Sequence, residues 1–415
     1  MSRRTLRPGA DLGRRRVLRG LGVLPLLVAG LPARLVLAAP QASAASPRRD
    51  ARFVLVLLRG GMDGLMALPA WGDPHHAGLR GDLGPQAPGQ AGGALDLDGT
   101  FGLHPELRRL HGFWTEGSLL PVHAVASPYR ARSHFDAQNV LDIGRVLPDR
   151  TGDGWLNRAL PALRGPQLAH GSERAMALGQ STPRVLMGPN AVGSWAPDVL
   201  PAPSADTLAR LRALYAADAL LGPRLEAALE ADAMAGVAGA DGGAADRGRV
   251  EPRLAEAAGR MLAAEAGPRI AVMEVGGWDT HANQNAARWR LRVLDGALGH
   301  LRDELGVAWA DTVVMVVTEF GRTVAENGTQ GTDHGTGGAA FLLGGAVRGG
   351  TVLADWPGLA PGRLHEGRDL RPTLDLRSLF KGVLGEHLGV ATRTLERDVF
   401  PDSASAAACR DLLRA

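Results

Sequence analysis

The chain has 415 residues, 45% apolar and 21% charged, enough to bury a sizeable core and too apolar for a disordered protein. Its single cysteine, Cys409, excludes an intrachain disulfide and any cysteine-based zinc or iron–sulfur centre. Net charge +3 and a pI near 9.7 invite a nucleic-acid or anionic-membrane partner, but aromatics at 4% argue against base-stacking platforms.

The positive charge is concentrated at the start. Residues 1–44 hold eight arginines against one acid, Asp11, so they carry +7 and leave −4 for residues 45–415. Within them Gly13-Arg14-Arg15-Arg16-Val17-Leu18-Arg19 has the form of a twin-arginine export signal. The run from Leu21 to Leu37 is broken by Gly22, Pro25, Gly30, Pro32 and Arg34, too poor for a spanning helix of about 20 apolar residues. Ala42-Ser43-Ala44 and Val36-Leu37-Ala38 are small-residue cleavage sites. The expectation is a signal peptide over 1–44 and a single domain over 45–415. That domain is exported folded to the periplasm or beyond, keeps no membrane span once the signal is removed, and binds no nucleic acid.

The β-branched run Arg52–Leu58, ending in Gly60-Gly61, predicts a buried parallel strand. Gly72–Gly99 is rich in Gly and Pro and predicts a long irregular excursion. Val122–Val125 and Arg184–Leu186 are weaker strand candidates. Thr207–Glu230 is Ala/Leu-rich and predicts a helix, followed by a flexible Gly/Ala/Asp loop over Ala231–Arg249. Ile270–Val275 before Gly276-Gly277 predicts a second buried strand. Leu291, Leu294, Leu298, Leu301 and Leu305 then mark one face of a helix across Ala286–Leu305. Thr312–Thr318 and Ala339–Leu343 predict two more strands. Strands alternating with helices define an α/β sheet with helices on both faces.

Acids and histidines gather where these strands end: Asp63 in Gly60-Gly61-Met62-Asp63-Gly64, Asp279 and His281 in Gly276-Gly277-Trp278-Asp279-Thr280-His281, and Glu319 with Arg322 in Thr318-Glu319-Phe320-Gly321-Arg322. Ligands of open α/β sheets bind beyond the carboxyl ends of strands. Three carboxylates on one edge would require a cation or raised pKa values. Asp333-His334, set between glycines, adds an imidazole, and this donor mixture suits zinc, manganese or iron better than calcium. Ser133, flanked by Arg132 and His134, is a candidate nucleophile, and arginine forks suit phosphate or sulfate oxygens. Each feature has a structural alternative: Asp63 as a helix cap, Glu319 with Arg322 as a local ion pair, and His134 or Asp136 capping a helix that begins at Phe135.

GGMDGL at 60–65, RSHFDAQ at 132–138, GGWDTH at 276–281 and TEFGRTxxENGTxGTDHG at 318–335 together resemble a large bacterial family of twin-arginine-exported proteins, domain of unknown function 1501. That family is similar to the alkaline phosphatase and sulfatase superfamily. The resemblance implies an alkaline-phosphatase-like three-layer sandwich with a central, mostly parallel sheet. It also implies one or two divalent ions, zinc first with manganese or calcium as alternatives, and an in-line attack on a phosphate or sulfate ester of a small molecule or glycan. Carried over, Asp63, Asp279, His281, Glu319 and His334 are metal ligands, Ser133 attacks, and Arg132 and Arg322 steady the ester oxygens. Phe320 stands where the superfamily has a ligating histidine. Three options follow: His134 fills the gap, one metal binds, or the centre is degenerate. The last would leave a non-catalytic exported protein with a metal- or glycan-binding edge in an envelope assembly.

Overall fold

The computed structural model describes residues 50–163, 174–197, 203–236 and 250–414. The arginine-rich export segment, both cleavage sites and residues 237–249 of the expected loop lie outside the described residues. Among these, ten strands occur: β1 (Arg52–Leu58), β2 (Leu95–Asp96), β3 (Gly102–Leu103), β4 (Leu119–Ala126), β5 (Ala175–Leu178), β6 (Gly193–Trp195), β7 (Ile270–Val275), β8 (Thr312–Thr318), β9 (Gly338–Leu343) and β10 (Leu374–Asp375). β2 and β3 pair with each other, and the other eight form one sheet in the order β10-β4-β9-β8-β1-β7-β5-β6. Only the two pairings made by β9 are antiparallel within that sheet.

The helices are α1 (Gly64–Ala67), α2 (His76–Arg80), α3 (Arg108–Thr115), α4 (His134–Ile143), α5 (Trp155–Ala159), α6 (Ala205–Tyr215), α7 (Leu221–Ala235), α8 (Val250–Ala263), α9 (Asn285–Leu305) and α10 (Leu376–Glu386). β1 explains the layering. Val54, Val56 and Leu58 pack with Met261 of α8 and Leu298 of α9, while Phe53, Leu55 and Leu57 pack with Trp155 of α5 and Phe380 of α10. A strand alternates its side chains between two faces. Because both faces are covered by helices, the strand is apolar throughout rather than alternating. This is the expected α/β sheet sandwiched between helical layers.

The four strong strand expectations hold to within one residue. Val122–Val125 proves to be the end of the eight-residue β4, disguised by Pro121 and His123 and by a bulge where Ala124 takes φ +53. Arg184–Leu186 is a 3-10 turn behind Pro183, with Val185 and Leu186 buried in the core. The helix expected over Thr207–Glu230 is two helices, α6 and α7. The second continues to Ala235, where left-handed Gly236 stops it, so the expected loop starts later than Ala231. The excursion at 72–99 is irregular apart from α2 and β2.

Candidate metal centre

Because β9 runs against its neighbours, the residues entering it share an edge with those leaving β1, β4, β7 and β8. His334 precedes β9, Asp279 and His281 follow β7, Glu319 follows β8, and His134 opens α4 after β4. Two glycines let these loops close together. A Cβ on Gly60, which sits at φ +119, would collide with the backbone nitrogen of Asp279. One on Gly331 would collide with the carbonyl oxygen of His281.

Three imidazoles and one carboxylate converge there. His334 Nε2 lies 2.9 Å from His134 Nε2 and 2.9 Å from His281 Nε2. Asp279 Oδ1 lies 2.9 Å from His281 Nε2, 3.2 Å from His334 Nε2 and 3.3 Å from His134 Nε2. Behind the rings, His134 Nδ1 donates to Glu319 Oε1 at 2.8 Å and His334 Nδ1 to the carbonyl of Arg132 at 3.1 Å, while His281 Nδ1 faces Asp333 Oδ1 at 3.4 Å. Carbonyls and carboxylates only accept, so each Nδ1 carries a proton, and a ring holding only that proton turns its Nε2 lone pair inward. Converging lone pairs and a carboxylate repel one another unless a cation or proton lies among them. Acceptors that hold ligating histidines from behind are the usual outer shell of a metal site. Ligand atoms on a tetrahedral ion with 2.0–2.1 Å bonds stand about 3.3 Å apart, close to the spacing among His134 Nε2, His334 Nε2 and Asp279 Oδ1, the three that form one compact group, with His281 Nε2 beside it. The four side chains are between 21% and 46% exposed, so the cluster opens to solvent.

The electrostatics follow from these partners. Burial raises the Asp279 carboxyl, but the guanidinium of Arg322, 2.7 Å away, and the histidines outweigh it and hold it down at about 2. The Glu319 bond, against some burial, pushes His134 up. Burial pushes His334 down despite its contact with Asp279. Burial would raise the fully enclosed Glu319, but His134, Gln138 and the Gly60 N–H keep it below the usual carboxylate range.

The cluster gathers Asp279, His281, His334 and His134. Phe320 walls the site, 4.7 Å from the His134 ring and 5.1 Å from the His334 ring. Glu319 stands one layer out, orienting His134. Asp63 is turned elsewhere: Oδ1 caps α1 through the Met66 N–H at 3.1 Å, and Oδ2 pairs with buried Arg80 at 2.5 Å. Arg322 is enclosed and donates to the carbonyls of Gly60, Gly61, Trp278 and Thr332 as well as to Asp279. Arg132 pairs with Asp369 and Glu366. Neither arginine is therefore free to hold an ester. Ser133 is the N-cap of α4, which starts one residue earlier than expected, yet its hydroxyl makes no capping bond. It lies against the hydroxyl of Tyr129, which donates to Asp136 Oδ2 at 3.2 Å. Sequence reasoning missed Arg80, Gln138, Arg368 and Asp369. Asp333, beside His334, was visible but not recognised as the support of His281.

An α/β sandwich with a candidate metal site of histidines and Asp279 at the carboxyl edge of its sheet is what these observations define. The chain belongs to the family described as Protein of unknown function (DUF1501), whose model matches residues 114–399. No curated protein sequence matches it. Among solved structures it is similar to the C-terminal periplasmic domain of EptC from Escherichia coli in complex with Zn (12% identity, 85% of this chain and 87% of that one, TM-score 0.37). It is also similar to phosphonate monoester hydrolase of Agrobacterium radiobacter (12%, 81% and 74%, TM-score 0.31) and to a 4S-sulf protein of Bacteroides thetaiotaomicron glycosaminoglycan metabolism (10%, 86% and 75%, TM-score 0.35). No described helix is long and apolar enough to cross a membrane.

Proposed function

We propose that the protein is an exported metal-dependent hydrolase of phosphate or sulfate esters. One divalent ion, zinc first, would be held by His134, Asp279, His281 and His334. The observation that carries this reading is the set of inward-facing Nε2 atoms whose Nδ1 protons are fixed by acceptors behind them. A bound ion would supply Lewis-acid polarisation of an ester oxygen. The chain's own part is to hold that ion open to solvent and to offer Ser133, the residue before His134, whose hydroxyl makes no capping bond. Tyr129 bridges Ser133 to the Asp136 carboxylate, a path by which the serine proton can leave. The arginine-rich start of the chain, with its apolar run and small-residue sites, supports twin-arginine export to the periplasm.

The test begins with elemental analysis of mature protein purified without chelators, expected to give about one transition metal per chain; its absence ends the hydrolase reading. Turnover of p-nitrophenyl phosphate and sulfate follows. Ser133→Ala is expected to lower it about a hundredfold or more. Undiminished turnover in that variant removes the serine route and leaves attack by water. For export, Arg14→Lys with Arg15→Lys is expected to retain the full-length chain in the cytoplasm. Normal periplasmic appearance of that variant refutes the signal assignment.

The engagement of Arg132 and Arg322 inside the protein, and of Asp63 with Arg80, favours a second reading. In it the protein keeps the metal edge for binding within an envelope assembly and hydrolyses nothing. One bound metal with no turnover of either ester identifies that case.

A further inference from the structure

We infer that Asp369 is the positioning residue of this centre: it touches none of the four inward-facing atoms, yet holds the backbone on which two of the histidines depend. The inference rests on the metal-binding reading above. Arg132 sits at φ +63, a left-handed conformation that non-glycine residues rarely adopt and that must be held from outside. Its carbonyl receives His334 Nδ1 at 3.1 Å, and His134 lies two residues further along the chain. The side chain of Asp369 is fully enclosed, and its Oδ2 accepts from Arg132 Nε at 2.9 Å and lies 2.7 Å from Nη2. Its Oδ1 accepts from Arg368 Nε at 2.9 Å, and Arg368 Nη2 donates to the carbonyl oxygen of His334.

One buried carboxylate thus governs both ends of His334. Through Arg132 it places the acceptor that fixes the ring tautomer, and through Arg368 it anchors the backbone carbonyl. Its own position is fixed by exchanged backbone bonds with His365, at 2.8 and 3.0 Å. Val324 N donates to Arg368 O at 3.2 Å, and Gly337 N to Leu370 O at 3.0 Å, stitching this turn to the segment that carries His334. Without the Asp369 carboxylate, the ion pair left to Arg132 among the described residues is with Glu366, whose exposed carboxylate is a weak partner. The hydrogen bond left to Arg368 among them is the one to the His334 carbonyl.

The test measures zinc affinity of the mature chain by competition with a chromophoric chelator, together with the visible absorption of the cobalt-substituted protein. Asp369→Asn is expected to raise the zinc dissociation constant about 10–100-fold and to alter the cobalt spectrum, as loss of an outer-shell partner does; lower stability alone leaves the spectrum of the bound form unchanged. Arg368→Gln, at a half-exposed side chain whose loss does not threaten the fold, is expected to raise the constant about tenfold. Asp369→Glu should restore part of the affinity, and Glu366→Gln should change it by less than about threefold. If Asp369→Asn does not fold, Arg368→Gln decides. Zinc binding within about threefold of the parent in the folded variants, with the parent's cobalt spectrum, overturns the role of Asp369 while leaving the centre standing. A parent chain that binds no zinc overturns the centre and this inference with it.

Discussion

Lowering the pH from 7 to 5 is expected to cost the metal-free chain about 5 kcal/mol of stability, read as the fall in unfolding free energy in urea. Three histidines away from the metal centre cause it. Burial holds His76, His104 and His123 at about 4, against an ordinary value of 6.5. His123 shows why the neutral ring is preferred. Its Nε2 donates to the Leu68 carbonyl at 2.9 Å and its Nδ1 accepts from the Ala124 N–H at 2.9 Å, with Trp356 packed 4.8 Å away. A second proton would face a donor in an apolar enclosure. Between pH 6.5 and 4 the unfolded chain binds protons that the fold refuses, so stability falls as pH drops through that window and the loss is complete below it. At pH 5 this amounts to about 2 kcal/mol per histidine. Asp142 works the other way. Its burial outweighs the pairing with Arg59 and lifts it to about 6, so its stabilising effect grows as pH falls and returns about 1 kcal/mol at pH 5. The histidines win, by an amount comparable to the stability of many domains. His104→Gln should remove about 2 kcal/mol of the difference. Equal unfolding free energies at pH 7 and pH 5 refute the account.

What could be read from the sequence was what a residue expresses locally. Arg52–Leu58, Ile270–Val275 and Thr312–Thr318 are legible because a strand buried on both faces must be apolar along its whole length. Ala175–Leu178 and Gly193–Trp195 are not, because strands of four and three residues, next to and at the sheet edge, are too short to carry such a pattern. The clustered residues stood out as histidines and aspartates in glycine loops, and their gathering follows from the antiparallel run of β9. Which carboxylates face the opening depended on partners far away in sequence. Arg80 claims Asp63 from α2, a helix inside what reads as an irregular excursion, and Asp369 claims Arg132 from a turn that no motif marks.

Arg322→Met is expected to destabilise the metal-free fold by about 3–5 kcal/mol, the cost of breaking a buried charged network by removing one member. The guanidinium has no exposure and reaches Gly61 O at 2.7 Å, Trp278 O at 3.0 Å and Thr332 O at 3.1 Å, with Gly60 O and Asp279 completing the set. Methionine fills much of the volume but takes their donor from the buried carbonyls of Gly60, Gly61 and Thr332, each a penalty of about 1 kcal/mol or more, while the Trp278 carbonyl keeps the Thr280 N–H at 2.9 Å. It also strips Asp279 of its counter-charge. The ester-steadying role that the resemblance implies for Arg322 makes the opposite forecast: turnover falls while unfolding in urea with EDTA barely moves. His334→Ala supplies the contrast, since removing an inward-facing ring should abolish zinc binding and leave metal-free stability nearly intact. Arg322→Met within about 1 kcal/mol of the parent in EDTA would return this arginine to the ester. A loss several times larger makes it the rivet that draws the loops after β1, β7 and β8 into one edge.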